Sequence, residues 1–512
     1  MIDFTPLVRG RFIRQAARMD GWDRCASELQ ARQLRELLRQ AAGTSFGIRR
    51  SFAEMAAMEP DAMRRAFATR VKVVEYEEIR SQVMQMAEGK PDVLWPGVCR
   101  YFAQSSGTSG GVSKYIPITD RSLRVNHYAG ASDVVAAYLR ANPASRLFSG
   151  KALILGGSFA NTLAPALAPQ AHVGDLSATL IARTPRLAEL FRIPSRKIAL
   201  MADWEQKLPA LVDAAMKANV TNLSGVPSWF LILLRRVLEK SGASTLQQVW
   251  PGLEVFFHGG ISFEPYRAQY REFTDTSKMH FMETYNASEG FFAVQTDPAD
   301  SAMQLLLDRG IYYEFAPMLP GGEWGDPLPL EEVEADKVYA LVISAPNGLW
   351  RYWIGDTVRF TDPRRARIRI AGRTKSYINA FGEELMEHNA DAAIAAVCAA
   401  TGAAIANYTA GPVYAASGRR GRHRWLIEWT TPPADEARFA ALLDAELRHL
   451  NSDYDAKRTG DIFLDPLQLT TLPAGAFDRW LATHGSGKLG GQRKIPRLSP
   501  TPALIEALLA AR

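Results

Sequence analysis

The sequence predicts an α/β protein with a large N-terminal domain of mixed sheets and helices and a smaller C-terminal α+β domain. Three observations lead to this prediction. Short apolar runs alternate with helical stretches along most of the chain, which is typical of layered α/β structures. The chain has 512 residues, enough for several domains at about 150 residues each. Its 47% hydrophobic and 22% charged residues are typical of a folded globular protein.

Local patterns predict the elements of the large domain in chain order. The N-terminal part predicts helices, because Leu34, Leu37 and Leu38 recur at helical spacing. Residues 101–103 and 115–118 predict two strands on either side of a loop rich in Ser, Gly and Thr. Further strands are predicted at residues 152–155, 255–257, 338–343 and 351–360, and further helices at residues 204–218 and 228–240.

A domain boundary is predicted at Lys375. A polar turn after Phe360 leads into a short strand, residues 368–374, which ends in the sequence GRTK. The predicted domains are therefore residues 1–374 and 375–512. The smaller one is expected to contain helices at residues 386–400 and 435–450 and strands at residues 404–408 and 423–429.

Charge and cysteine content argue against several classes of protein. The 60 Lys and Arg exceed the 54 Asp and Glu by only six, and the basic runs 364–369 and 419–424 are short. We interpret these runs as solvated turns rather than a nucleic-acid surface. Cys25, Cys99 and Cys398 are too far apart for a disulfide framework or a metal-binding pair, which fits a reducing cytoplasm. Neither a signal peptide nor a membrane span is predicted.

The segment SSGTSGGVSK, residues 105–114, is predicted to bind phosphate. Its glycines let backbone N–H groups approach an anion, its hydroxyls add donors, and Lys114 adds positive charge. It is not a Walker A loop, because Ser113 instead of glycine precedes Lys114. The alternative is a flexible Ser/Gly turn without a ligand.

Two later segments each place a carboxylate at a predicted turn. Glu289 follows an apolar run and can hold Mg²⁺, which prefers one or two carboxylates together with phosphate oxygens. Asp356 follows Gly355 in what we interpret as a tight turn, where a carboxylate can accept both hydroxyls of a ribose. A surface glutamate and an Asx-type turn residue are the respective alternatives.

These segments, in this order and together with GRTK, resemble the adenylate-forming superfamily. Within it the chain is most similar to the GH3 family of acyl acid amido synthetases, as a bacterial-type member. The resemblance covers nearly the whole chain. Besides the phosphate segment, it rests on LRELLRQAAGTSFG, VKVVEYEEIRSQVMQMAEGKPDVLWPG, HGGISFEPY, YNASEG, LWRYWIGDTVRF, GRTKSYINAFGEEL and GGQRKIPRL.

The resemblance implies roles for single residues. Glu289 would bind the metal and Asp356 the ribose, while Lys375 would be the pivot of a mobile C-terminal domain. Lys494 would reach the adenylation site, with Lys488 as its rival and a solvated basic tail as the alternative for both. The resemblance further assigns ATP binding to Ser105, Ser106, Gly107, Thr108, Ser109, Lys114, Gly259, Gly260, Tyr285, Ser288 and Arg373.

The implied activity is ATP-dependent activation of a small apolar or aromatic carboxylic acid as acyl-AMP, followed by transfer to an amine, often an amino acid. An acid–CoA ligase is the second hypothesis, and a non-catalytic nucleotide- or metabolite-binding protein is the third. The acid pocket is expected between Leu123 and Phe230. The sequence INAFGEEL departs from the plant pattern, so we assign no amine site. His258 is a candidate base, with a structural histidine as the alternative.

Overall fold

A computed structural model of the chain describes residues 2–105, 114–159, 171–260, 263, 267, 270–319, 324–374, 377–383, 385–414, 420–461, 463–477, 479–480 and 497–511. These residues form two compact units. The first unit contains the described residues up to Thr374 except Phe263 and Arg267. Those two residues belong to the second unit, together with the described residues from Tyr377 onward.

Helices form the N-terminal part of the first unit, as predicted. The helix Trp22–Ala41 buries Leu34, Leu37 and Leu38, because residues three or four positions apart share one helix face. The helix Tyr76–Ala87 begins with a capping box in which the Glu75 N–H donates to Oε2 of Glu78 over 2.8 Å. The helices of this part are Thr5–Ala17, Trp22–Ala41, Ser45–Arg49, Phe52–Ala57, Pro60–Arg70 and Tyr76–Ala87.

The first unit contains a small sheet and a large sheet. The small sheet consists of β1 (Tyr101–Ser105), β2 (Lys114–Ile118) and β4 (His172–Gly174), in the order β2-β1-β4. The strands of the large sheet are β3 (Lys151–Ile154), β5 (Arg192–Ile193), β6 (Val220–Gly225), β7 (Val255–Gly259), β8 (His280–Ala287), β9 (Gly290–Asp297), β10 (Asp300–Leu305), β11 (Tyr312–Pro317), β12 (Val338–Ser344), β13 (Tyr352–Asp362) and β14 (Arg367–Arg373).

The large sheet changes character at β8. Among the described residues its order is β11-β12-β13-β14-β10-β9-β8-β7-β6-β3-β5. Strands β5, β3, β6, β7 and β8 pair in parallel, whereas the pairs from β8 to β11 are antiparallel. The carboxyl ends of the parallel strands therefore meet at one edge, which is where open α/β sheets bind ligands.

Further helices of the first unit accompany these strands. The helix Tyr128–Ala141 packs on β9, and the Tyr138 ring meets that of Phe257 edge to face at 5.8 Å. A single π-helical turn, Leu123–His127, precedes this helix. The remaining α-helices described here are Asp120–Ser122, Leu176–Arg183, Arg196–Ala199, Trp204–Met216, Pro227–Ser241 and Leu246–Val249.

Arg351 forms a buried ion pair within the large sheet and also bonds to the N-terminal helical part. Nη2 of Arg351 lies 2.9 Å from Oε1 of Glu314, and both side chains are more than nine-tenths buried. Nη1 of Arg351 also donates to the carbonyls of Ala68 and Val71, at 2.8 and 2.9 Å. Burial raises the pKa of Glu314, and the charge of Arg351 and its hydrogen bond oppose that rise. Arg351 is thus bonded both to the N-terminal helical part and to the large sheet.

The second unit is a smaller α+β structure. Its strands are β15 (Tyr377–Ile378), β16 (Leu385–Met386), β17 (Ala404–Val413), β18 (Arg422–Thr431) and β19 (Gln468–Leu472), and β17, β18 and β19 form one sheet in that order. Its α-helices, within the described ranges, are Glu387–Thr401, Glu436–Leu450, Ser452–Arg458 and Ala503–Ala510. The predicted helices and strands of this region are confirmed, with boundaries that differ by a few residues.

The solvated-turn interpretation of the two basic runs is wrong for Arg367 and Arg422. Arg367 lies in β14 and donates from Nη2 to Oδ2 of Asp300 over 2.9 Å. Arg422 lies in β18 and donates from Nη2 to Oδ2 of Asp465 over 2.8 Å. In both cases the fold brings an acidic residue distant in sequence beside the arginine. Within the described part of the chain, no helix combines the length and apolar character needed to cross a bilayer.

Candidate functional site

The β8–β9 hairpin carries three of the predicted site residues. Tyr285 lies near the end of β8, and Ser288 and Glu289 form the turn, since Ala287 pairs with Gly290. The Glu289 side chain is only 9% exposed, so the alternative of an ordinary surface glutamate is wrong. Its backbone carbonyl accepts a hydrogen bond from Nδ2 of Asn347 over 3.1 Å. The turn is therefore a fixed and largely buried part of the sheet edge.

Asp356 lies inside strand β13, which corrects the interpretation of its segment as a tight turn. From Trp353 to Thr357 the strand advances four residues, while its partner β12 advances only two, from Ala340 to Val342. Gly355, with φ +96°, lies within this irregularity. Such a φ is accessible to glycine because it lacks Cβ. An irregularity of this kind re-aims the neighbouring side chains and leaves the strand intact.

The structure brings Tyr285 and Asp356 into direct contact. Oη of Tyr285 donates a hydrogen bond to Oδ2 of Asp356 over 2.7 Å. The two side chains are 4% and 9% exposed, and the Tyr285 ring packs against Phe292 at 4.8 Å. The backbone of Arg373 pairs with Asp356 between β14 and β13. Three positions that the resemblance assigns to the nucleotide thus lie together, although they are far apart in sequence.

Strand β7 ends beside β8 in the sequence His258-Gly259-Gly260. A Cβ on Gly259 would lie 2.3 Å from the carbonyl oxygen of Thr284, so this position requires glycine. Gly260 has φ +84°, which also favours glycine. His258 is 3% exposed, and its carbonyl accepts a hydrogen bond from Oγ1 of Thr284 over 3.0 Å. This burial within a strand favours a structural histidine over a base.

Both ends of the predicted phosphate segment are fixed by a β-hairpin. Strands β1 and β2 confirm the two predicted strands, and Ser105 pairs with Lys114 at the end of the ladder. Lys114 is 6% exposed, and the N–H of Tyr115 donates to Oη of Tyr76 over 2.8 Å. Seven predicted site residues lie outside the described residues: Ser106, Gly107, Thr108, Ser109, Lys375, Lys488 and Lys494.

The donor set at the hairpin turn is compatible with Mg²⁺. Among the described residues, no group of three or more His, Cys, Asp or Glu forms a metal-binding cluster. Glu289 offers a single carboxylate in the turn, and Mg²⁺ is commonly held by one or two carboxylates plus phosphate oxygens. A metal at Glu289 would therefore take most of its ligands from a bound nucleotide and from water.

Asn126 lies behind the same hairpin and was not predicted from the sequence. Its Nδ2 donates to the carbonyl of Phe291 over 2.9 Å, and its Oδ1 accepts from the N–H of Phe291 over 2.6 Å. Asn126 is 1% exposed. The surrounding sequence, RSLRVNHY, mixes polar and apolar residues and gave no signal, because the role of Asn126 depends on a strand residue 165 positions away.

Two solved structures with a similar fold are those of an acyl acid amido synthetase and an acid–CoA ligase. The GH3.15 acyl acid amido synthetase matches with a TM-score of 0.58 and 18% identity, covering 97% of this chain and 95% of that one. The 2-hydroxyisobutyryl-CoA ligase, in complex with 2-HIB-AMP and CoA, matches with a TM-score of 0.55 and 15% identity, covering 94% and 92%. These matches confirm the predicted fold class.

Family models identify the chain more narrowly. The GH3 family N-terminal domain matches residues 15–279, the central domain residues 304–373 and the C-terminal domain residues 388–503. The chain therefore belongs to the GH3 family, as the sequence motifs predicted.

Curated relatives agree over most of their length. The indole-3-acetic acid-amido synthetase GH3.4 of Arabidopsis thaliana is 22% identical, with 87% of this chain and 86% of the relative covered. GH3.8 of Oryza sativa subsp. indica, which carries the same enzyme name, is 23% identical, with 94% and 89% covered. The predicted enzyme class, an amido synthetase, is confirmed. The narrower expectation of a bacterial-type member is not borne out, since these relatives are plant proteins.

Proposed function

We propose that this protein activates a small apolar or aromatic carboxylic acid with ATP and transfers the acyl group to an amine, often an amino acid. The observation that supports this most directly is the hydrogen bond from Tyr285 to Asp356, beside the turn that carries Glu289. Relatives named for indole-3-acetic acid support an aromatic acid. We also propose that the reaction takes place in the cytoplasm, which the three widely spaced cysteines support.

In the first step a carboxylate oxygen attacks the α-phosphorus of ATP. The new O–P bond replaces the bond to pyrophosphate, and acyl-AMP results. Asp356 would accept the ribose hydroxyls, and the Tyr285 hydrogen bond would orient its carboxylate. Backbone N–H groups and hydroxyls of residues 105–109, with Lys114, would hold the phosphates, and Lys494 would stabilise charge at the α-phosphate. Mg²⁺ held by Glu289 would neutralise charge on the departing pyrophosphate.

In the second step the amine nitrogen attacks the acyl carbon. A C–N bond forms, the bond to AMP breaks, and a proton leaves the nitrogen. We propose that residues 375–512 act as a mobile domain that pivots at Lys375, and that Arg373, just before the pivot, contacts the ribose. Such a domain would exclude water during the first step and admit the amine for the second. The acyl pocket would lie between Leu123 and Phe230, at the carboxyl ends of the parallel strands.

Product analysis tests this proposal. The protein is incubated with ATP, Mg²⁺, a pooled panel of carboxylic acids and either mixed amino acids or CoA, and the products are identified by mass spectrometry. We expect amides and acid-dependent release of pyrophosphate. Thioesters without amides would instead identify an acid–CoA ligase. An absence of acid-dependent pyrophosphate release would identify a non-catalytic nucleotide-binding protein.

The assignment of the C-terminal lysine has its own test. Lys494→Ala is expected to slow acyl-AMP formation by at least 100-fold and to spare amide formation from supplied acyl-AMP, because the charge acts only while the carboxylate attacks phosphorus. Lys488→Ala is the matched control. If Lys488→Ala instead loses adenylation while Lys494→Ala keeps it, the role belongs to Lys488.

A further inference from the structure

The π-helical turn Leu123–His127 places two polar side chains behind the β8–β9 hairpin. Isolated π-helical turns of this kind occur often at functional sites. Asn126 and His127 are each 1% exposed, and neither belongs to any motif that the resemblance uses. The turn lies in the same compact unit as Tyr285, Glu289 and Asp356.

Asn126 fixes the second strand of the hairpin. Its side chain forms two hydrogen bonds with the backbone of Phe291, and its Nδ2 also donates to the carbonyl of Arg309 over 3.0 Å. Phe291 is only two residues beyond Glu289. The Asn126 side chain therefore holds the start of β9 in place. The position of the turn then depends on how the other strand, β8, is held.

His127 lies beside Asn286, the residue of β8 that pairs with Phe291. The contact between the two side chains falls short of a well-aligned hydrogen bond, because within the described residues neither ring nitrogen of His127 nor Oδ1 of Asn286 has a partner in good geometry. Burial lowers the pKa of His127 to about 4, and the imperfect hydrogen bond with the Asn286 side chain opposes this shift. The ring is therefore neutral near pH 7. Its N–H can donate to an amide oxygen, and its other nitrogen can accept from an amide NH₂ group.

We propose that His127 is a positioning residue, which acts through Asn286 to set the Ser288–Glu289 turn for adenylation. This role rests on the proposed function. The contact between these complementary groups falls short of a well-aligned hydrogen bond. It can tighten when a ligand shifts the hairpin, since hydrogen bonds in active sites often tighten only in the reactive complex. Asn126 would hold β9 while His127 and Asn286 adjust β8.

A double-mutant cycle tests the proposal in the full-length protein. The quantity measured is kcat/KM for ATP in acid-dependent pyrophosphate release. We expect His127→Phe and Asn286→Ala each to lower it at least tenfold, and the double variant to lie within twofold of the weaker single variant. His127→Gln, which keeps a donor and an acceptor, is expected to recover at least threefold relative to His127→Phe.

Trp425→Phe is the control, because Nε1 of Trp425 is also buried without a partner in the described part of the chain and lies outside the range of the proposed acyl pocket. Its kcat/KM is expected to stay within twofold of the parent. The positioning role would be overturned if the loss of kcat/KM in the double variant equalled the product of the two single losses. It would also be overturned if His127→Gln recovered no activity relative to His127→Phe. Circular dichroism of each variant identifies those that fail to fold, and His127→Leu, which also removes both polar ring atoms, then replaces His127→Phe in the cycle.

The two proposals can fail separately. If the parent protein releases no acid-dependent pyrophosphate, the proposed function fails, and calorimetric binding of ATP with Mg²⁺ then decides the role of His127. In that case we expect at least threefold weaker binding in each single variant, with no further loss in the double variant. Unchanged ATP affinity would overturn the positioning role.

Discussion

Two histidines are buried to the same extent, one in each unit, and they differ in what surrounds the ring. His127 and His423 are each 1% exposed. Nε2 of His423 lies 2.7 Å from Oε1 of Glu383, a residue that is itself fully buried. The other carboxylate oxygen of Glu383 accepts the N–H of Phe381 over 2.7 Å. No comparable partner faces His127 among the described residues.

The difference separates a histidine that holds its own unit together from one whose hydrogen-bonding groups remain available. The His423–Glu383 contact fastens the segment before β16 to β18, so its loss would leave a carboxylate buried without its partner. Such a loss is costly. Replacement of the His127 ring by an apolar ring removes only the imperfect contact with Asn286 from the hydrogen bonds of the described residues. The same residue type thus predicts a structural effect at one position and a functional effect at the other.

The largest expected effect is that of His423→Phe on stability. Removal of one partner of a buried pair typically costs about 3 kcal/mol, which corresponds to roughly 100-fold faster hydrogen exchange if exchange requires local opening. Exchange of the peptide that covers Arg422–Thr431, followed by mass spectrometry at pH 7, measures this loss. Glu383→Gln, which removes the charge and keeps hydrogen-bonding groups, should cost less. If His423→Phe changed the hydrogen-exchange rate of this peptide by less than threefold, the contrast between the two histidines would be wrong.

The next effect is a pH dependence that belongs to His127. Its pKa is about 4 in the folded protein and about 6.5 for an exposed histidine, so the unfolded chain binds the proton more readily. Stability from this group is therefore present above pH 6.5 and is lost as the pH falls towards 4. At pH 5 the loss is about 2 kcal/mol. Urea unfolding at pH 7 and pH 5 should show that acidification lowers the free energy of unfolding less in His127→Phe than in the parent. Equal decreases in the two proteins would contradict this prediction.

The smallest effect is the stability of His127→Phe at pH 7. An apolar ring of similar size removes two buried polar atoms that form no well-aligned hydrogen bond within the described residues, so the free energy of unfolding should stay within about 1 kcal/mol of the parent or rise. Urea unfolding monitored by tryptophan fluorescence measures it. A loss above about 3 kcal/mol would show that His127 supports the fold in the way that His423 does.

Local patterns predicted the elements well because burial on one face of a helix or strand leaves a periodic signal. The predicted strand at residues 255–257 is β7, Val255–Gly259, and the predicted helix at residues 435–450 is Glu436–Leu450. Family motifs selected the segments that contain Tyr285 and Asp356, which the structure brings into contact, and the roles of these residues stay predictions. A motif does not report backbone geometry, however, so Asp356 was assigned to a turn although it lies within β13.

Contacts between distant residues could not be predicted from the sequence, because periodicity does not indicate which partner a side chain meets. Asp133 illustrates this. It is fully buried and receives hydrogen bonds from Arg18 and Arg309. Burial raises the pKa of this carboxyl, but the two guanidinium groups outweigh that effect and hold the pKa below its ordinary value. The same limit hid the contacts of Asn126 with Phe291 and of Arg367 with Asp300.

The bonds of Arg351 have a consequence for how pieces of such proteins can be exchanged. Its guanidinium ends on carbonyls of Ala68 and Val71, and the backbone of Val74 bonds to that of Arg351 and Trp353. Strand β13, which carries Asp356, therefore shares its bonding with the helices that open the chain. In a chimaera that took those helices from a relative and the sheet from this protein, the carbonyl acceptors would come from one protein and the Arg351 donor from the other. These two parts must be transplanted together, although more than 270 residues separate them.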